Sequence, residues 1–289
     1  MTVPARQDLL TSADELAAAI EDPQLRVIDC RFDLMAPDAG RTAWLEAHIP
    51  GAVYADLDAD LSGPITHDTG RHPLPSISDA AETFSRLGVD ERTRVVAYDD
   101  AGGAIASRAW WLLRWLGHRR VTVLDGGLPA WRARDLPLEA GLRKTAPREF
   151  RATVEPARVL STQEIAADPH SVRVGVLIDA RDAVRYRGEA EPIDPVAGHI
   201  PGAKNLPLGA CLREDGAWQD ATALRAKLAP LLGDDDNAQW AVMCGSGVTA
   251  CHLAISGLLA GYREPRLYVG SWSEWIRDPR RPIAVAGRQ

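Results

Sequence analysis

The chain is defined first by what it does not contain. Its 289 residues include no run of about 18 apolar residues, so no helix is expected to cross a membrane. No block or stripe of basic side chains occurs, and 33 Lys and Arg against 40 Asp and Glu leave a net charge of −7. That balance argues against a nucleic-acid surface. The first residues, Met1-Thr2-Val3-Pro4-Ala5-Arg6-Gln7-Asp8, lack the apolar stretch of a secretion signal, so a cytoplasmic location is expected. Cysteine is scarce. Cys30, Cys211, Cys244 and Cys251 show no C-x2-C or other metal-ligand spacing, and neither a metal nor an organic cofactor is indicated. In a reducing compartment all four are expected as free thiols. What is present, 46% hydrophobic and 25% charged residues, suits a soluble chain that buries real cores. The length suggests two domains of roughly 150 residues.

Two halves of the chain resemble each other. Val27-Ile28-Asp29-Cys30-Arg31 matches Leu177-Ile178-Asp179-Ala180-Arg181, and Ala47-His48-Ile49-Pro50-Gly51-Ala52 matches Gly198-His199-Ile200-Pro201-Gly202-Ala203. Asp125-Gly126-Gly127-Leu128-Pro129-Ala130-Trp131 matches Val269-Gly270-Ser271-Trp272-Ser273-Glu274-Trp275. Short apolar runs at Leu25–Asp29, Val95–Tyr98, Val121–Leu124, Val174–Ile178 and Gln239–Met243 alternate with helical patterns such as Ala104–Leu116, which Gly117 would cap. This alternation predicts an α/β fold: two tandem domains, each a mainly parallel sheet flanked by helices. The expected division is a first domain at 1–140, a linker at 141–157 carrying Pro147 and Pro156, and a second domain at 158–289.

In such sheets sites form beyond the carboxyl ends of strands. Cys244 stands at such an end, in Met243-Cys244-Gly245-Ser246-Gly247-Val248-Thr249-Ala250, between an apolar strand and a helix over Ala250–Ala260. Glycines there let backbone N–H groups turn inward at a helix N-terminus, a setting that favours an anion. A cysteine thiolate in that place is a nucleophile. Aligning the halves on Gly117 and Gly261 puts Asp100 opposite Cys244, so only the second domain keeps the sulfur. A cysteine phosphatase would need an arginine six residues after the cysteine, where Ala250 stands, and Ser246 is not framed as Gly-x-Ser-x-Gly for a serine hydrolase. A non-catalytic sulfur carrier or scaffold stays as an alternative of another class, although a scaffold needs no thiol in that loop.

The tandem halves, the two His-Ile-Pro-Gly motifs and the Cys-Gly-Ser-Gly-Val-Thr loop resemble the two-domain rhodanese-like sulfurtransferases over nearly the whole chain. The resemblance implies that Cys244 takes a sulfane sulfur from a small donor, holds it as a persulfide, and passes it to cyanide or to a thiol such as thioredoxin. Members that use thiosulfate usually carry cations in the loop, commonly an arginine directly after the cysteine. Here that place holds Gly245, and the loop ends at Thr249, so Gly245, Gly247, Val248 and Thr249 resemble the donor loop of 3-mercaptopyruvate sulfurtransferases. By the same resemblance Arg185 binds the donor carboxylate, and Ser246, His72 and Asp58 form a proton relay. A second substrate arginine is usual nine residues after the first, where this chain has Asp194; thiosulfate therefore remains the alternative donor. Arg187, two residues from Arg185, would face another way on a helix.

Other residues have plainer readings. His48 and His199 recur in both halves and are expected to serve folding, as are Asp29 and Asp179 at strand ends. Cys251, inside the helix, is expected to pack as a small apolar group, and Cys30 and Cys211 to be structural. Trp110, Trp111 and Trp115 fall at helical spacing and are expected in a core or domain interface.

Overall fold

The computed structural model describes residues 4–168 and 175–285. Each half folds into a five-stranded sheet in which every strand pair is parallel. The first sheet contains β1 (Leu10–Thr11), β2 (Leu25–Asp29), β3 (Val53–Tyr54), β4 (Arg94–Tyr98) and β5 (Val121–Leu124), in the order β1-β5-β4-β2-β3. The second contains β6 (Val159–Leu160), β7 (Val176–Asp179), β8 (Lys204–Asn205), β9 (Trp240–Met243) and β10 (Arg266–Tyr268), in the matching order β6-β10-β9-β7-β8. The apolar run expected from Val174 begins at Val176; Val174 itself lies outside the described residues.

Among the described residues ten α-helices cover these sheets: α1 (Ala13–Ala18), α2 (Asp38–Glu46), α3 (Ile77–Arg86), α4 (Ala106–Trp115) and α5 (Gly127–Arg132) in the first half. In the second are α6 (Thr162–Ala167), α7 (Ala183–Tyr186), α8 (Ala221–Leu232), α9 (Ala250–Leu259) and α10 (Ser271–Trp275). Both halves start their first helix with the same device. Ser12 caps α1 against Glu15, and Ser161 caps α6 against Glu164, each serine oxygen taking the backbone N–H of the glutamate three residues on. α4 ends before Gly117, whose φ of 90° is the left-handed conformation that stops a helix.

Helices α4 and α9 pack on each other, so the two halves share one apolar cluster that holds Trp110, Trp111 and Leu113 together with Leu253, Ile255 and Leu258. Every residue of α9 is buried, which explains why its sequence is apolar apart from His252 and Ser256. The connecting stretch follows the first domain closely. Phe150 packs on Phe84, and the N–H groups of Thr153 and Glu155 donate to the carbonyls of Leu116 and Trp115.

Candidate active site

Strand β9 ends at Met243, and the chain turns through Cys244–Thr249 into α9. Cys244 is 2% exposed, and its Sγ accepts the N–H of Gly247 at 3.1 Å. The sulfur thus sits at the open end of a buried ten-residue helix, facing an inward-turned backbone dipole. Gly247 has a φ of 77°, and a Cβ there would approach the Val269 carbonyl oxygen to 2.5 Å, so no side chain fits. The loop is braced from the neighbouring turn. Trp272 and Ser273 donate their N–H groups to the carbonyls of Cys244 and Gly245 at 3.0 and 2.8 Å. Val248 is buried beneath the loop, and Thr249 is the last residue before the helix. Cys251 packs one turn into α9 with its Sγ toward the Gly247 carbonyl, and burial pushes its thiol up to about 12. Burial also raises Cys30 far above its ordinary range and Cys211 to about 11, so neither is an accessible thiolate.

Ser246, His72 and Asp58 meet although they come from opposite domains. His72 Nδ1 lies 2.7 Å from Ser246 Oγ, and His72 Nε2 lies 3.2 Å from Asp58 Oδ1. Burial, reinforced by the positive charges of Arg108 and Arg71, pushes the His72 imidazole down to about 3, so the ring is neutral at physiological pH. Burial and the nearby Asp56 raise the Asp58 carboxyl. With Asp58 ionised, Nε2 carries the ring proton and Nδ1 accepts from the serine hydroxyl.

Two guanidinium groups stand over Gly245. A Cβ built there would lie 2.9 Å from Arg71 Nη2, close enough to displace it, and 3.6 Å from Arg185 Nη2, an ordinary contact. Arg185, on α7, donates from Nε to both oxygens of Glu191, at 2.9 and 3.1 Å, and from Nη2 to Asp194 at 3.1 Å. Asp194, 6% exposed, pairs on its other oxygen with Arg71. Arg187 is elsewhere, paired with exposed Glu189.

A rhodanese-like domain profile matches residues 12–134 and again 161–278, the two halves that carry the matching sheets. The chain belongs to the two-domain rhodanese-like sulfurtransferases. A Pseudomonas aeruginosa protein named "Probable 3-mercaptopyruvate sulfurtransferase" is 46% identical over 278 residues, 96% of this chain and 98% of the relative. A Mycobacterium tuberculosis protein named "Putative thiosulfate sulfurtransferase SseB" is 40% identical, again over 96% and 98% of the two chains. The crystal structure of the 3-mercaptopyruvate enzyme SseA from Escherichia coli superposes with a TM-score of 0.80 at 33% identity, covering 94% of this chain and all of that one.

In this sulfurtransferase the register of the sheets corrects the expected counterpart of Cys244. Asp29 pairs with Tyr98 as Asp179 pairs with Met243, so the residue after each strand, Asp99 in one half and Cys244 in the other, is equivalent. The Asp99 carbonyl accepts from Leu128 N–H as the Cys244 carbonyl accepts from Trp272 N–H. Asp100 is one position further on and exposed. Alignment on Gly117 and Gly261 missed this because the first loop, Asp99–Ile105, is one residue longer than Cys244–Thr249. Asp99 is completely buried and takes four backbone N–H groups, from Ala101, Gly103, Ile105 and Ala106, at 2.8 to 2.9 Å.

The repeated histidines hold turns. His48 Nδ1 bonds the Trp44 carbonyl at 2.6 Å and His199 Nδ1 the Tyr186 carbonyl at 2.7 Å. Asp29 and Asp179 each orient an arginine, Arg31 and Arg181, toward the carbonyls of Ala47 and Gly198 just before those turns. Three residues near the sulfur escaped the sequence reading. Arg71 adjoins His72, Ser271 stands under Cys244, and Arg108 reaches from α4 behind the loop. Arg108 is fully buried and donates to the carbonyls of Leu61, His72, Pro73 and Gly247, with no carboxylate partner among the described residues. One signal was available for Arg108: it is the lone charge in the run Ala106–Leu113, whose other residues are apolar except Ser107.

Proposed function

We propose that this sulfurtransferase takes sulfur from 3-mercaptopyruvate and carries it as a persulfide on Cys244. The observation that carries the reading is the unbroken chain from Ser246 through His72 to Asp58 beside the sulfur. Release of sulfur from a carbon donor leaves a carbanion that needs a proton, and a hydroxyl–imidazole–carboxylate chain handles one.

The steps balance without an outside acid. Cys244 thiolate attacks the donor sulfur, and Ser246 Oγ takes the donor's S–H proton while passing its own to His72 Nδ1. The C–S bond breaks, its electron pair goes to carbon as the enolate of pyruvate, and the proton returns along the same chain to that carbon. Pyruvate leaves and a persulfide anion stays on Cys244. An imidazole held as strongly neutral as His72 gives a received proton back readily. Asp58 steadies the short-lived imidazolium through Nε2, and Arg185 with the Gly245 face holds the donor carboxylate. An acceptor, cyanide or a thiol such as that of thioredoxin, then attacks the outer sulfur and frees the Cys244 thiolate. The loop residues from Gly245 to Thr249 carry no charge of their own, which suits a monoanion whose charge is held at a distance.

Thiosulfate is the second reading, favoured by the Mycobacterium tuberculosis relative's name and by the acid at Asp194. Steady-state comparison of the two donors decides between them. A larger kcat/KM for 3-mercaptopyruvate supports the proposal, and a larger one for thiosulfate overturns it. Cys244→Ser separates catalysis from carriage by the fold: it abolishes thiocyanate formation from either donor, and wild-type turnover by that variant would remove the persulfide mechanism.

A further inference from the structure

Asp194 sets a puzzle that the arginines around it answer. A buried carboxylate beside the donor pocket repels an anionic donor unless something offsets it. Asp194 is offset twice, by Arg185 on Oδ2 and by Arg71 on Oδ1. The two arginines come from different domains, and the shared carboxylate brings their guanidinium groups to the same face of Gly245. Arg71 is also held by its backbone, its N–H donating to Ser273 Oγ at 3.1 Å in the turn that braces the cysteine loop.

The hydrogen-bond inventory of these two side chains is uneven. Arg185 spends Nε and Nη2 on Glu191 and Asp194, leaving Nη1 without a protein acceptor among the described residues. Arg71 uses only Nη1; its Nε is buried with no acceptor, and its Nη2 is likewise unpaired. Arg71 Nη2 and Arg185 Nη1 lie 2.9 and 3.8 Å from one point beside Gly245, hence no more than 6.7 Å from each other. A carboxylate set between them can take a charge-assisted hydrogen bond of about 2.8 Å from each.

We infer that Arg71, docked on Asp194, is the second cation of the donor-binding subsite, and that with Arg185 it clamps the carboxylate of a 2-oxo acid donor. Asp194 is then the anchor that aims Arg71 across the domain boundary, and the acid at this position costs the pocket no net cation. The unpaired Arg71 Nη2 and Arg185 Nη1 are the donors a ligand carboxylate completes. Because Arg71 directly precedes His72, the same short segment sets both the donor carboxylate and the relay proton, which couples binding to chemistry. This inference rests on the 3-mercaptopyruvate reading.

The test is steady-state kinetics with 3-mercaptopyruvate and with thiosulfate on wild type, Arg71→Leu, Arg71→Lys, Asp194→Asn and the exchanged pair Arg71→Asp with Asp194→Arg. Arg71→Leu is expected to raise KM for 3-mercaptopyruvate about tenfold or more, with a smaller change in kcat, and Arg71→Lys to recover part of it. Asp194→Asn should raise KM less, because the cation stays but loses its anchor. The exchanged pair, which keeps one cation and one carboxylate at these two positions, should return KM for 3-mercaptopyruvate toward wild type. Circular dichroism and thermal melts identify any variant that fails to fold, and the lysine and exchanged variants then carry the test. Wild type that prefers 3-mercaptopyruvate, with an unchanged KM in folded Arg71→Leu, overturns the role of Arg71 alone. Wild type that prefers thiosulfate overturns the donor reading and this subsite with it.

Discussion

Ser271 Oγ accepts the backbone N–H of Cys244 at 3.1 Å and donates to the Tyr268 carbonyl at 2.8 Å. Ser271 adopts a φ of 53°, a left-handed conformation that costs a non-glycine residue, and its counterpart in the first half is Gly127 at 58°. The strain is tolerated where the hydroxyl fixes the nucleophile's own amide. Ser271→Gly relieves the backbone but frees that amide, whereas Ser271→Ala frees it and keeps the strain. Both are expected to lower kcat, and Ser271→Ala to be the less stable of the two by about 1 kcal/mol in urea unfolding. Equal activity in Ser271→Gly and wild type would show that the amide needs no such brace.

The proposed relay of Ser246, His72 and Asp58 would separate the two donors kinetically. Thiosulfate loses sulfur by S–S cleavage and leaves sulfite, with no carbon to protonate. His72→Gln and Asp58→Asn are therefore expected to cut kcat for 3-mercaptopyruvate by about 10²-fold or more, with a clearly smaller loss for thiosulfate. Matching losses for both donors would mean that the chain only shapes the loop.

Arg185, the proposed holder of the donor carboxylate, also balances Glu191, which burial raises but its arginine partner and backbone donors bring below the usual carboxylate range. Arg185→Gly is expected to raise KM for 3-mercaptopyruvate by about tenfold to a hundredfold through lost carboxylate binding. A fall in kcat besides would show that Arg185 also positions the reacting C–S bond. An unchanged KM would take it out of the site.

Acid should weaken the fold before the carboxylates titrate. His72 and His252 are both pushed down to about 3, chiefly by burial, and His252 is stacked on Trp218 with its rings 4.2 Å apart. The unfolded chain binds a proton at each below about 6.5 and the folded chain does not, so stability falls as pH drops through that value. Each contributes up to about 1.4 kcal/mol per pH unit. Burial raises Asp99, Asp60 and Asp194, which works in the opposite sense at lower pH, so the histidine effect is clearest between about pH 6.5 and 5. Urea unfolding of His252→Phe across that range should show a slope smaller by about one proton; an unchanged slope would mean that His252 is protonated in the folded protein.

The repeat made the architecture readable. Apolar strands, capped helices and the twin His-Ile-Pro-Gly turns are local features, and each half repeats the other's. The nucleophile was readable for the same reason, since strand, glycine loop and helix are contiguous around Cys244. What crosses between domains was not readable from the chain. Arg71 meets Asp194 from 123 residues away, and Arg108 reaches Gly247 from 139. The joining of Ser246 to His72 was foreseen only through likeness to a family. The misplacement of Asp100 had a different origin: a one-residue loop insertion moves an alignment but leaves the hydrogen-bond register intact.

That register gives Asp99 a meaning beyond its place in an alignment. A carboxylate held by four amides is a ligand tied to its own binding site, at an effective concentration no free anion can match. The loop of the first domain is thus satisfied by its own side chain. In the second domain Cys244 Sγ takes the Gly247 amide, and a sulfur added to it enters the same anion-favouring loop, so loading should stabilise that half more than the first. The duplicated fold therefore contains its own reference state: a bound copy against which the working copy cycles.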